Sequence, residues 1–230
     1  MTRKTIIVGV SGASCSGKST LCQLLHAIFE GSSLVHEDDF YKTDAEIPVK
    51  NGIADWDCQE SLNLDAFLEN LHYIRDHGVL PTHLRNRENK NVAPEALIEY
   101  ADIIKEFKAP AIPTLEQHLV FVDGFMMYVN EDLINAFDIR LMLVTDFDTL
   151  KRRREARTGY ITLEGFWQDP PHYFENYVWP GYVHGHSHLF VNGDVTGKLL
   201  DKRIQLSPSS KMSVRDNVQW AINSILNALQ

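Results

Sequence analysis

The stretch Gly12–Ser19 reads GASCSGKS, with the spacing G-x-x-x-x-G-K-S directly after the apolar run TIIVGV. Glycines at those two positions let the backbone curl until successive N–H groups point inward, and a helix starting at Lys18 adds partial positive charge. Such a loop binds phosphate if a strand precedes it and a helix follows. Thr5–Val10 is a buried-strand pattern. Leu21, Leu24, Leu25 and Ile28 recur on one face of a helix expected over Lys18–Glu30, which Gly31 ends. Gly12, Ala13, Ser14, Cys15, Ser16, Gly17, Lys18, Ser19 and Thr20 are therefore expected to hold the phosphates of a nucleoside triphosphate. Lys18 reaches the β and γ phosphates, and the Ser19 hydroxyl serves Mg²⁺.

A second acidic segment, HEDDFYK, follows the next apolar run. A carboxylate there can face a γ-phosphate from the acceptor side and take the proton of an attacking hydroxyl, which is the role expected of Asp38. Asp123 ends the run HLVFV and is a candidate for metal binding. The run KRRREAR places Arg153 and Arg157 on one helical face with Arg154 beside it. Arginines on a segment that closes over substrate can neutralise a transferring phosphoryl group, and residues 151–171 are read as such a lid.

The elements that must position these groups alternate between strand and helix, which predicts an α/β domain with a parallel sheet and ligands beyond the strands' carboxyl ends. Further strands are expected at SSLVH, HLVFV, DIRLMLVT and, last, SHLFV; further helices at Leu64–Ile74, after Pro94 with Leu97, Ile98, Ala101 and Ile104 inward, and at Val214–Leu229. Residues 80–90 read as polar and exposed, and 79–117 as a surface insertion in a single domain spanning 1–230. WPGY reads as a proline-kinked helix packed on the core. HGHSH offers three histidines but no further ligand at metal-site spacing, so no zinc site is expected.

Composition sets limits. With 230 residues, 44% hydrophobic and 23% charged, the chain is ordinary for a soluble domain. A formal charge of −9 argues against nucleic acid or an acidic membrane as partner. Three cysteines without paired spacing suit a reducing compartment, and no run is long enough to span a bilayer. A cytoplasmic location, the nucleus included, is the expectation.

Taken in order, GVSGASCSGKSTL, HEDDFYK, DWDCQESLN, FVDGF, LKRRREAR and YVWPGY resemble the nicotinamide riboside kinases, a group of uridine kinase-like phosphate-loop kinases. The resemblance implies a P-loop NTPase fold with a five-stranded parallel sheet flanked by helices and an arginine-rich lid. It also implies ATP, Mg²⁺ and nicotinamide riboside as ligands, the acid riboside as a further acceptor, and phosphorylation of the 5′-hydroxyl in NAD salvage. By position, Asp38 resembles the general base, near the metal with Ser19 and Asp123. Asp39 and Tyr41 fall in the acceptor segment. Asp57 and Arg154 match residues that hold the ribose hydroxyls, Arg153 and Arg157 match arginines facing ATP, and Asn192, Gly193 and Asp194 fall in the adenine-side loop. Trp56 matches the aromatic that stacks on the pyridinium, with Tyr160 as the opposite wall and Trp167 or Phe166 as alternatives. Two departures stand out: Trp56 replaces a tyrosine of the best-known relatives, and Asp123 a glutamate. A uridine/cytidine kinase and a non-catalytic nucleotide-binding regulator are the rival readings.

Overall fold

The computed structural model describes residues 4–84, 97–108, 117–162 and 164–230. Its centre is a five-stranded sheet of β1 (Thr5–Gly12), β2 (Ser33–His36), β5 (His118–Gly124), β6 (Ile139–Leu143) and β9 (Ile204–Leu206), in the order β2-β5-β1-β6-β9. Every pairing in it is parallel. Parallel strands require crossovers, which place helices on both faces and explain why all eight residues of β1 are buried. Two short antiparallel hairpins stand apart, β3–β4 (Val49–Lys50, Ile53–Ala54) and β7–β8 (Tyr160–Ile161, Phe166–Trp167).

Successive β1 side chains point to opposite faces. Ile7 joins a cluster with Phe67 and Leu71 of α2 (Leu64–His77), together with Tyr128 and Phe137. Ile6, Val8 and Val10 join the other, with Leu21, Leu24 and Leu25 of α1 (Lys18–Ile28) and Val218, Ile222 and Ile225 of α7 (Val214–Ala228). Between these lie α3 (Ala101–Lys108), α4 (Glu131–Ala136), α5 (Phe147–Glu155) and α6 (Trp179–His186). The α2 start is capped by the Asn63 side chain, which accepts from Ala66 N–H at 3.1 Å, and Gly78 ends the helix in a left-handed conformation. Neighbouring strands β5 and β6 flank β1 on either side, so the glycine loop, the turn after β2 and the ends of β5 and β6 share one edge of the sheet. Among the described residues no helix is long and apolar enough to cross a membrane.

Several sequence expectations are corrected. The fifth strand is Ile204–Leu206, not SHLFV: Ser187–Leu189 is a turn of 3₁₀ helix, and Phe190 makes only an isolated bridge to Leu199. Asn192 and Gly193 then adopt left-handed conformations that turn the chain away. A three-residue apolar run has no period by which to distinguish strand from buried turn. Leu80 and Leu84 are buried, although 80–90 read as exposed, and residues 85–90 lie outside the described residues. Pro94 also lies outside them. Downstream, Leu97, Ile103, Ile104 and Phe107 pack on the α1 side while Ile98 and Ala101 are exposed, a rotation of the predicted inward face. Ion pairs join α3 to its neighbours, from Lys108 to Glu30 and from Arg215 of α7 to Glu106.

Of the three clustered histidines, His186 is fully buried at the end of α6, with Nδ1 donating to Tyr182 O at 3.0 Å. Burial lowers its pKa from 6.5 to about 4, against that hydrogen bond. The folded state thus refuses a proton that the unfolded chain accepts, and stability is lost as pH falls from 6.5 to about 4. The loss is about 3 kcal/mol. Urea unfolding of His186→Gln should show a smaller decline over that interval than the wild type; equal declines would place the acid sensitivity elsewhere.

Candidate active site

Curling of the glycine loop is visible in its dihedrals. Gly12 and Gly17 have φ of 154° and 97°, and Cys15 is left-handed at 65°. A Cβ on Gly12 would lie 2.8 Å from Ser16 Oγ and 2.9 Å from Leu143 O, so only glycine fits between the loop and β6. Gly17 caps α1 without a side-chain hydrogen bond, and the first turn of α1 carries no acid. The amides at that end therefore remain for an anion. Lys18 runs along the wall above them, its Nζ 6.0 Å from the centroid of Phe125.

Behind the loop, Ser19 Oγ donates to Asp123 Oδ2 and His36 Nδ1 donates to Asp123 Oδ1, both in short contacts. Asp123 is buried. Burial alone would raise its pKa, but the hydrogen bonds from His36 and Ser19 and the charges of His36 and Lys18 bring it below the ordinary value. For His36, burial works against the charged form and Asp123 overcomes it, raising the imidazole. Each partner thus favours the charged form of the other. Because Ser19 spends its proton on Asp123, its lone pairs stay available. With the open carboxyl of Asp38 they form an all-oxygen, hard donor set that fits Mg²⁺. Both Asp123 oxygens have partners and the residue does not line the cleft, so it stands behind Ser19.

The turn Glu37–Phe40 distributes its acids unequally. Glu37 points inward, its Oε2 accepting from Phe125 N–H at 2.7 Å and Met126 N–H at 2.9 Å. Burial pushes it up to about 8, so it is neutral at physiological pH. Asp38 is open to the cleft. Desolvation by the surrounding walls raises its carboxyl, Lys18 opposes, and Asp123 adds to the rise. A raised carboxylate is a better proton acceptor.

A cleft of about 740 Å³ gathers Ser14, Cys15, Lys18, Ser19, His36, Asp38, Asp39, Tyr41, Trp56, Asp57, Arg154, Arg157, Tyr160 and Trp167. Within it Arg154 is held as a buried fork. It donates to both Asp57 oxygens at 3.2 and 3.1 Å, to Asp169 at 2.6 and 3.1 Å, and to Ser14 Oγ at 2.8 Å. Trp56 meets Tyr41 edge-on at 5.6 Å and Trp167 at 6.1 Å, inclined by 47°. Tyr160 instead takes the guanidinium of Arg154 at 4.3 Å and that of Arg157 at 5.3 Å. Trp167, not Tyr160, is thus the aromatic beside Trp56, and Asp169 fixes it by accepting from Trp167 Nε1–H at 2.9 Å.

On the other side of the loop a cavity of about 320 Å³ is lined by Cys15, Ser16, Gly17, Thr20, Arg153 and Arg157, with Tyr100, Thr145, Ser209, Ser210 and Asn217. Arg153 Nη1 donates to Cys15 O at 3.2 Å. Asn192, Gly193 and Asp194 line neither cavity; Asp194 caps its own turn by accepting from Thr196. Sequence reasoning missed His36, Asp169, Tyr100 and the 209–217 segment. Only His36 carried a signal, since it ends a strand beside the acidic turn.

No family model matches the chain. The nicotinamide riboside kinase of Saccharomyces cerevisiae is 40% identical over 205 residues, covering 87% of this chain and 85% of the relative. The chain belongs to the nicotinamide riboside kinase family. The enzyme of that name from Eremothecium gossypii is 38% identical, covering 89% and 85% of the two chains. Human nicotinamide riboside kinase 2 is 27% identical, covering 82% and 70%.

Removing one member of a buried ion pair leaves the others uncompensated. Arg154→Ala strands Asp57 and Asp169, and should lower unfolding free energy by about 3–5 kcal/mol. Denaturant titration measures this, and a loss under 1 kcal/mol would show the fork to be no more than a surface pair.

Proposed function

We propose that the chain transfers the γ-phosphate of ATP to the 5′-hydroxyl of nicotinamide riboside, accepting the acid riboside as well. One observation carries the reading: Lys18, Asp38, Trp56 and the Asp57–Arg154 pair, which the resemblance assigns to phosphate, proton, base and ribose, line a single cleft. The indole faces of Trp56 and Trp167 suit a cationic pyridinium. Asp57 offers a carboxylate acceptor to the vicinal ribose hydroxyls, and Arg154, whose five N–H groups are engaged by Asp57, Asp169 and Ser14, holds that carboxylate in place. ATP is assigned to the loop and to the neighbouring cavity bounded by Arg153 and Thr20, which puts its γ-phosphate between Lys18 and Asp38.

The nucleophile is a neutral primary alcohol, so alignment and charge neutralisation must do most of the catalysis. Lys18 and the α1 amides bear the phosphate charge. Asp38 receives the hydroxyl proton, and its raised pKa suits that task. Mg²⁺, when bound, neutralises the phosphate oxygens, with Ser19 and Asp38 as the residues to hold it. Arg153 and Arg157, at and beyond the end of α5, lie where a closing lid would carry charge to the transferred group.

A panel of nucleosides incubated with Mg²⁺ and labelled ATP tests the assignment. Nicotinamide riboside should be phosphorylated in preference to uridine and cytidine; the reverse order would make the chain a pyrimidine nucleoside kinase, and ATP binding without any transfer would make it a regulator. Asp38→Asn should keep ATP affinity and lose at least about a hundredfold in kcat, and near-normal turnover would remove Asp38 as base. Trp56→Ala should raise KM for nicotinamide riboside about two- to thirtyfold with KM for ATP unchanged. Equal losses for both substrates would contradict stacking.

A further inference from the structure

The segment carrying the acceptor-side residues, 50–57, has little regular structure of its own. It offers the last residue of β3, the two residues of β4 and then irregular chain. Something else must hold Trp56 and Asp57 in place. That support comes from one helical face far along the sequence.

Residues 174–178 form a π-helical turn that runs into α6, and Trp179 N–H closes it on Phe174 O, five residues back. Side chains four apart overshoot a full α-helical turn by about 40°, so Tyr173, Tyr177 and Gly181 would spiral off any straight contact line. A π turn winds less per residue and takes that drift back. All three residues consequently meet the acceptor segment. Tyr177 Oη donates to Lys50 O at 2.8 Å. Tyr173 Oη donates to Ala54 O at 3.0 Å and accepts from Trp56 N–H at 2.9 Å. Gly181 lies against the Asp57 carbonyl so closely that a Cβ there would be 2.1 Å from its oxygen. The rings of Tyr173 and Tyr177 stack at 4.8 Å and 13°, and Tyr173 also packs on Trp167 at 5.6 Å.

We infer that Tyr173 and Gly181 are positioning residues for the acceptor nucleoside: the π-bulged helix holds the backbone of Trp56 and Asp57 at the height the base and ribose require. Neither residue lines the cleft. The contacts are to main chain, so they set where the two side chains start, whatever those side chains are. Tyr173 also links the two indoles, through the Trp56 backbone on one side and the Trp167 ring on the other. This inference builds on the assignment of that cleft to the acceptor and requires only that some nucleoside bind there.

The test is the full-length protein carrying Tyr173→Phe, which keeps the ring and both ring contacts but removes the hydroxyl, and separately Gly181→Ala. Each should raise KM for nicotinamide riboside about five- to fiftyfold while KM for ATP stays within about twofold of the wild type. Tyr177→Phe, whose contact is to Lys50 rather than to the binding residues, should shift the riboside KM less than Tyr173→Phe. A role in stability alone would lower the melting temperature and the active fraction without separating the two KM values, and that result, or an unchanged riboside KM in Tyr173→Phe, overturns the inference. Should Gly181→Ala fail to fold, Tyr173→Phe decides. If the wild type phosphorylates another nucleoside and not nicotinamide riboside, the functional reading fails while the same KM comparison with that nucleoside still decides this one.

Discussion

A guanidinium taken out of water must find charge and hydrogen bonds to replace its hydration, and Arg154 finds both in three places at once. Its fork reaches Asp57 in the acceptor segment, Asp169 beyond the β7–β8 hairpin, and Ser14 in the glycine loop. Those groups come from parts of the chain that share no element. This one side chain therefore ties all three to one another at the cleft. Lysine could not substitute, since an ammonium has three donors and the planar fork makes five contacts in fixed directions.

Around that fixed point the acids are sorted by burial. Glu37 is neutral and structural, gripping the chain after β5 through two amides. Asp123 is charged because His36 stands against it, and it orients Ser19. Asp38 opens to the cleft with a raised pKa. Three carboxylates close in space thus take three tasks, and the sorting follows from which neighbours each one meets. It also eases the approach of a polyphosphate, since Glu37 in the acidic turn is neutralised by a proton.

The aromatic side of the cleft shows the limits of alignment by position. Tyr160 is the sequence candidate for the wall opposite Trp56, with Trp167 or Phe166 as alternatives. In space its face is occupied by two arginines, and the indole of Trp167 stands beside Trp56. The hairpin connecting them brings Trp167 directly opposite Tyr160 as strand partners. A hairpin exchanges neighbours in this way without any change in residue type.

What the sequence by itself determined is whatever depends on local spacing. The glycine loop with its strand and helix, the acid at the end of β5, the basic run of α5 and the parallel sheet could all be read, because periodicity and turn chemistry act over a few residues. The fifth strand could not, since three apolar residues carry no period. The inward face of the segment around α3 was misjudged, because which side of a helix is covered depends on what packs against it. Only the tertiary structure decided that Trp167 stands beside Trp56 with Asp169 holding both Trp167 and Arg154, that Tyr100 and the 209–217 segment wall the neighbouring cavity, and that Tyr173 and Gly181 support residues more than a hundred positions earlier. Such contacts join residues far apart in the chain, and the energy of bringing them together lies in burial, charge pairing and backbone hydrogen bonds that no short window of sequence contains.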